Sequence, residues 1–429
     1  MPATTTRRPT HVTTTAHLRA LVPPPLSAGS PPGLHLGTDL STGTPFRYDP
    51  FELYSLGALS NPNMLVLGQV GRGKSALVKA YVARSLCLGR RVVVLDRKGE
   101  FTRLCTLAGT RPLRLERGGA VRINPLDVGG SDVGDADAVR ADRLDVLAAL
   151  AGAAGCGAAL SATERAALAI ALDRVTTEQA GWPPTLAQVS TALLSPRPQD
   201  TAPLGMTAEE MGRHTRELAL QLRRLVAGDL AGMVDGRSAG IDLGQPLTVV
   251  DLSAAAARED ALAALVVCVS AHLRRALAGA GEGRPPTILV IEEAWACLRT
   301  LETARWLQSL QKLSRQLGLQ VVLVLHRLSD LAATGDVGSE VLAVTRGLLA
   351  DTETHVVFGV HPAEVDATRE LLGLSAAEAA TLPELPRGRA LIRLRDRSAL
   401  VDVDLGERDR WMCDTDSRMR TGAPVEASR

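Results

Sequence analysis

Between an apolar run, Met64-Leu-Val-Leu67, and a helix-forming stretch from Ala76 to Leu86 lies Gly68-Gln-Val-Gly71-Arg-Gly73-Lys74-Ser75. It matches G-x-x-x-x-G-K-[ST], and a buried strand before it with a helix after it is the context that makes this spacing a phosphate-binding loop. Gly68, Gly71 and Gly73 let the backbone turn tightly and point its N–H groups inward, where they and the helix N-terminus favour an anion. The phosphate-binding set expected from this loop is Gly68, Gln69, Val70, Gly71, Arg72, Gly73, Lys74, Ser75 and Ala76. Lys74 is placed to reach the β and γ phosphates of ATP, and Ser75 to give its hydroxyl to Mg²⁺, whose shell is otherwise mostly water and phosphate oxygen.

Only one fold class accommodates this loop together with the pattern that follows. Arg91-Val-Val-Val-Leu-Asp96, Pro246-Leu-Thr-Val-Val-Asp251, Thr287-Ile-Leu-Val-Ile291 and Leu319-Gln-Val-Val-Leu-Val-Leu325 read as further buried strands. Strands that are apolar along their whole length and alternate with helices imply a parallel sheet covered on both faces. The expectation is an α/β, RecA-like P-loop NTPase core, with an all-α insertion where residues 128–245 turn alanine- and leucine-rich. Within it Thr207-Ala-Glu-Glu210 has the form of a capping box. Short edge strands are expected at Leu113–Leu115 and Val121–Leu126, and another strand at Gly347–Phe358.

The boundaries expected are a disordered, Thr- and Pro-rich arm over 1–33, core residues 34–127, the helical insertion 128–245, core residues 246–405, and a polar tail over 406–429. Residues 34–49 read as a hairpin added at the sheet edge, and 388–405 as a closing one.

Composition narrows the partners. With 48 Lys and Arg against 47 Asp and Glu the chain has no global basic excess, and aromatics are only 3%, so a stacking platform for single strands is not indicated. The six cysteines are scattered without C-x-x-C, and reduced buried thiols are expected. No secretory pattern opens the chain, and the uncharged run Val146–Leu160 falls short of the ~20 residues a membrane span needs. A cytoplasmic location is expected, at the inner face of the membrane where a partner recruits the chain.

The run Thr287–Ile291 ends in Glu292-Glu293, as a Walker B strand does. Glu292 is expected to hold Mg²⁺ through water, although Asp is commoner there, and Glu293 to orient and deprotonate the attacking water. Asp96 and Glu100, at the end of another strand, read either as neighbours of the nucleotide or as a solvated turn.

Taken in order, Gly37-Thr-Asp-Leu-Ser-Thr-Gly43, Asp49-Pro-Phe, Asp96-Arg-Lys-Gly-Glu-Phe101, Ile123-Asn-Pro-Leu126, Met233-Val-Asp-Gly-Arg237, Val250-Asp-Leu-Ser253 and Glu292-Glu-Ala-Trp295 resemble the conjugation and type IV secretion ATPases of the FtsK/HerA superfamily. The resemblance spans about residues 34–405 and implies a hexameric ring recruited to membrane-embedded channel proteins, with each ATP site completed by a neighbour's arginine. Arg315 matches that position. Where the family usually places a Gln that senses the γ-phosphate, this chain has His326, able to donate the same hydrogen bond with added pH sensitivity. Members typically carry a large N-terminal docking domain, whereas a short arm and hairpin precede the loop here. The function this implies is an ATP-hydrolysing motor of conjugation or secretion. The alternatives are a DNA translocase or coupling protein of the same superfamily, with DNA as partner, and a nucleotide-binding adaptor without turnover.

Overall fold

The computed structural model describes residues 33–127, 136–155, 159–179, 181–279, 283–326 and 340–414. The arm expected over 1–33 lies outside these residues except for Gly33, as do residues 415–429 of the expected tail.

A hairpin, Leu34–Asp39 (β1) and Pro45–Tyr48 (β2), leads to helix Pro50–Ser55 (α1), where Asp49 accepts hydrogen bonds from the Phe51 and Glu52 amides and Pro50 fits the first turn. Met64–Leu67 (β3) runs into Lys74–Cys87 (α2), followed by Arg91–Asp96 (β4), Thr102–Leu107 (α3) and Leu113–Arg114 (β5). The helical segment holds Ala136–Ala154 (α4), Ala162–Glu178 (α5), Leu186–Leu194 (α6), Pro198–Thr201 (α7) and Ala208–Arg224 (α8). The core resumes with Leu247–Asp251 (β6), Glu259–Ala278 (α9), Thr287–Ile291 (β7), Leu301–Lys312 (α10), Ser314–Leu317 (α11) and Leu319–Leu325 (β8). It closes with Glu340–Ala350 (α12), Thr354–Phe358 (β9), Val365–Leu372 (α13), Ala376–Thr381 (α14), Arg389–Leu394 (β10), Arg397–Val403 (β11) and Glu407–Cys413 (α15).

Among the described residues the strands form one sheet in the order β2-β1-β11-β10-β9-β3-β8-β7-β4-β6-β5. From β9 to β5 every pairing is parallel, and β10, β11, β1 and β2 extend that sheet in antiparallel fashion. Along β3, Leu65 and Leu67 join one apolar cluster while Met64 and Val66 join the other; β4 and β7 alternate in the same way. That is why these strands are apolar at every position: both faces are covered. The first cluster is shared between the sheet and the helical segment, with α4 packed on α9 and α10. Helix α9 is long and apolar enough to cross a bilayer, but 83% of its apolar window is buried inside the protein. The capping box read at α8 is present: Thr207 Oγ1 accepts from the Glu210 amide at 3.2 Å and Glu210 accepts from the Thr207 amide at 2.8 Å.

Three stretches differ from the reading of the sequence. Val121–Leu126 forms no strand but a single bridge, Arg122 to Ala239, because the Asn124 side chain accepts from the Leu126 amide at 3.1 Å and Pro125 has no N–H to offer a ladder. The expected strand at Gly347–Phe358 begins only at Thr354, since Gly347–Ala350 finishes α12 with Leu348 and Leu349 buried. Gly406 onward is not all tail: α15 packs on α2 and buries Met412.

A buried polar chain fixes α2 to the sheet. Tyr81 of α2 donates to Gln320 Oε1 on β8 at 2.6 Å, Gln320 Nε2 donates to Tyr48 at 3.2 Å, and Tyr48 donates to Thr354 on β9 at 3.2 Å. Tyr81→Phe leaves the Gln320 oxygen buried without its donor, so a loss of about 1–3 kcal/mol in urea unfolding is expected. A loss under ~0.3 kcal/mol means the network does not hold the helix.

Candidate functional site

The loop between β3 and α2 adopts backbone that its glycines require: φ is +148° at Gly68, +81° at Gly71 and +116° at Gly73. At Gly68 space is also decisive, since a Cβ there would lie 2.6 Å from Cβ of Phe358. Two backbone bonds hold the loop from outside: Gln69 N donates to Gly359 O at 3.0 Å, and Gly388 N to Arg72 O at 2.9 Å. The Lys74 ammonium donates to the carbonyls of Gly68 and, at 3.0 Å, Gln69. Burial, and then the charge of Lys98, bring Lys74 down to about 8.

The loop opens on a cavity of about 640 Å³. One side is Gly71, Gly73, Lys74, Ser75 and Ala76, joined by Lys98, Glu100 and His326; the other is Arg387, Gly388, Val403 and Leu405 with Arg410, Trp411 and Cys413 of α15. Val70, at the loop tip, is exposed and lines the mouth.

At the end of β7 two adjacent carboxyls meet opposite conditions. Burial pushes Glu292 up to about 8, helped by the negative charges of Asp96 and Glu100. Burial also acts on Glu293, but hydrogen bonds from His326, Lys98 and Trp295 outweigh it and hold that carboxyl well below the usual range. His326 Nε2 lies 2.7 Å from Glu293, Trp295 Nε1 2.8 Å, Lys98 Nζ 3.0 Å and Arg97 Nη1 3.5 Å. Glu293 sits in the left-handed region at φ +57°, shared among described non-glycine residues only with Arg395. Such strain is sustained where the surroundings over-determine it, as these donors do.

Asp96, at the end of β4, is hydrogen-bonded to the turn that follows it. One oxygen accepts from the Lys98 and Gly99 amides at 3.1 and 2.9 Å, and the other from the Phe101 amide at 2.9 Å. Its carboxylate shapes the turn that presents Lys98 and Glu100 to the cavity.

Arg315 is exposed on α11, ahead of β8, whereas His326 follows that strand. Seven strand residues at ~3.3 Å put it about 23 Å from its own chain's site. The geometry thus joins Lys74, Ser75, Glu292, Glu293 and His326 and leaves Arg315 at the opposite edge. The residues the sequence reading passed over are Arg97 and Lys98, beside the singled-out Asp96, and the wall from residues 387–414. Lys98 carried a signal, being one of four lysines in the chain.

For Mg²⁺ the donors are of the kind a hard cation takes: the Ser75 hydroxyl, which lines the cavity, and the buried Glu292 carboxyl, which no hydrogen bond or ion pair engages among the described residues.

Residues 33–176 match the family model of the TraG P-loop domain. Among solved structures the chain is similar to VirB4 of Thermoanaerobacter pseudethanolicus, with a TM-score of 0.69 and 21% identity over 90% of this chain and 99% of that one. It is also similar to the bacterial conjugative coupling protein TrwBdeltaN70 in its unbound form, with a TM-score of 0.56 and 16% identity over 92% and 94% of the two chains. The plasmid coupling protein TrwB in complex with the ATP analogue ADPNP gives 0.58 and 16% over 92% and 93%. A comparison with curated proteins found no match. At these identities the structural likeness is one of fold; with the family match, it supports the resemblance read from the motifs.

Glu292 also makes stability pH-dependent in a defined direction. Folded, it keeps its proton up to about 8, while the unfolded carboxyl releases it near 4.5. The folded state therefore binds more protons across that window, and stability falls as pH rises through it. Lys74, lowered to about 8 from 10.5, acts oppositely but only above about 8. Replacing Glu292 by Gln removes the titration, so the melting temperature of Glu292→Gln relative to the parent is expected to climb between pH 5 and pH 8. A difference that stays flat means the carboxyl does not titrate there.

Proposed function

We propose that this chain, a TraG-type P-loop protein over residues 33–176, is an ATP-hydrolysing motor of a bacterial conjugation or type IV secretion system. The observation that carries the reading is a cavity large enough for a nucleotide, lined by Lys74, Ser75, Lys98 and His326, with Glu293 hydrogen-bonded to the last two and the buried Glu292 beside it acting on Lys74 by its charge. Lys74 exchanges its bonds to the Gly68 and Gln69 carbonyls for oxygens of the β and γ phosphates, and the loop amides hold the rest of the charge. Ser75 and Glu292 are the residues to hold Mg²⁺, which when bound neutralises charge on the phosphates. Glu292 gives up its proton as the cation enters, because a nearby positive charge reverses the effect of burial.

Glu293 positions the attacking water. A bond forms from the water oxygen to the γ-phosphorus, the bond to the bridging oxygen breaks, and the water proton passes to Glu293 or to a phosphate oxygen, giving ADP and phosphate. Arg315 acts from a neighbouring subunit of a homo-hexamer, stabilising the charge that develops on the transferred group. The ring works at the inner face of the membrane, on channel proteins.

A second reading, a DNA translocase or coupling protein, is favoured by the likeness to TrwB. The two separate in a steady-state ATPase assay with and without DNA. Lys74→Ala is expected to abolish hydrolysis, and Glu293→Gln to lower kcat by about 10²–10⁴ with nucleotide still bound. Arg315→Ala should also lower kcat, in assembled rings only. Hydrolysis indifferent to DNA supports the secretion motor, and strong stimulation the coupling protein. Tight ATP binding without turnover by assembled rings overturns both in favour of an adaptor.

A further inference from the structure

Two of the cations on Glu293 differ in how free they are to leave it. Arg97 is committed elsewhere: Nη2 donates to the Ala256 carbonyl at 3.0 Å, and its guanidinium lies 5.8 Å from the Trp295 ring. Lys98 has Glu293 at 3.0 Å as its only ion-pair partner within 4 Å among the described residues, and its side chain is 42% exposed. It lines the same cavity as Lys74 and Ser75. Its backbone is fixed by Asp96, so the reach of its side chain starts from a set point.

A cation at the mouth of a phosphate site, held there by a single carboxylate, faces a competition once a polyanion enters. Lys74 serves the β and γ phosphates from the loop side. Lys98 comes from the β4 side, where the terminal phosphate must lie if it is to stand between Ser75 and Glu293. Glu100 and Glu292 are the other acids facing it, and neither is within ion-pair distance.

We propose that Lys98 is a second phosphate-binding cation of this site, which restrains Glu293 until the γ-phosphate of a triphosphate draws it away and so opens one acceptor position on Glu293 Oε1, the oxygen it shares with His326, for the attacking water. The inference rests on the ATPase reading and extends it: the same side chain discriminates triphosphate from diphosphate and couples that discrimination to the carboxylate that hydrolysis needs. With the Lys98 bond exchanged for one to phosphate, the carboxylate keeps Trp295, His326 and the more distant Arg97, which hold it in place while the position Lys98 occupied takes the water.

The test is calorimetric binding of ATPγS and of ADP, each with Mg²⁺, to the full chain, its Lys98→Met, Lys98→Arg and Glu293→Gln variants and the Lys98→Met/Glu293→Gln double variant, with circular dichroism to check folding. A lost charge-assisted bond predicts that Lys98→Met weakens ATPγS about tenfold or more and changes ADP by no more than about twofold, with partial recovery in Lys98→Arg. Glu293→Gln removes the competitor for Lys98 and should tighten ATPγS by about threefold or more, a gain that vanishes in the double variant. Equal losses for both nucleotides in a folded Lys98→Met, no loss at all, or a Glu293→Gln gain that persists without Lys98 overturns the inference while leaving the ATPase reading in place. Failure of the parent to bind either nucleotide overturns that reading, and the inference with it.

Discussion

Gathering like charges at the carboxyl edge of a parallel sheet is costly, and the way that cost is met decides what this site can do. Asp96, Glu100, Glu292 and Glu293 share a small, partly buried volume with Lys74, Lys98 and Arg97. Three of these acids resolve their burial differently. Asp96 spends both oxygens on backbone amides, Glu292 takes up a proton, and Glu293 stays ionised under a cluster of donors. Environments that push two neighbouring carboxyls in opposite directions give them separate roles. Here the split begins in backbone geometry, because β7 ends at Ile291 and Glu293 turns into the left-handed region, which aims it at His326 and Lys98 rather than along the strand.

The sheet order explains why these groups meet. β3, β8, β7 and β4 are adjacent and parallel, so their carboxyl ends place the loop, His326, the two glutamates and the turn after Asp96 side by side, although they are spread from residue 68 to residue 326. The antiparallel extension has its own part. Gly359, just beyond β9, and Gly388, just before β10, are the outer anchors of the phosphate loop, so the strands added to one edge help to hold it.

Much of this was legible from residue patterns. Strands buried on both faces leave continuous apolar runs, and β3, β4, β6, β7 and β8 were visible for that reason. The loop was visible because its glycines answer to φ and to close approach, constraints that few residues satisfy. What stayed hidden depends on partners distant in sequence. Nothing local shows that Asn124 and Pro125 deny Val121–Leu126 a ladder, or that the apolar stretch ending in Leu348-Leu349-Ala350 packs as a helix turn before β9 begins. Asp96 shows the same limit: from sequence alone an acid at a strand end beside the nucleotide and an acid capping its own turn look alike, and only the fold shows the amides of Lys98, Gly99 and Phe101 converging on it.

The helix at Glu407–Cys413 is the sharper case, because it reaches the site. It has seven residues and Met412 is its one buried side chain, so no apolar period announces it. Contacts place it: Arg84 of α2 pairs with Asp409 at 2.7 Å, Arg103 of α3 donates to the Trp411 carbonyl at 2.6 Å and stacks over its ring at 5.3 Å, and Cys413 lies 3.7 Å from the Ala76 carbonyl. These bonds all run to elements that begin at the phosphate loop or just after the Asp96 turn, so the helix is tied to both. A phosphate end, which must bind concentrated charge, requires particular residues at particular spacings and therefore leaves a motif. The opposite wall mixes Val403, Leu405 and Trp411 with Arg387 and Arg410 from separate segments, a set with no fixed spacing that a motif could record. The motif therefore records one half of the cavity, and the other half has to be found by folding the chain.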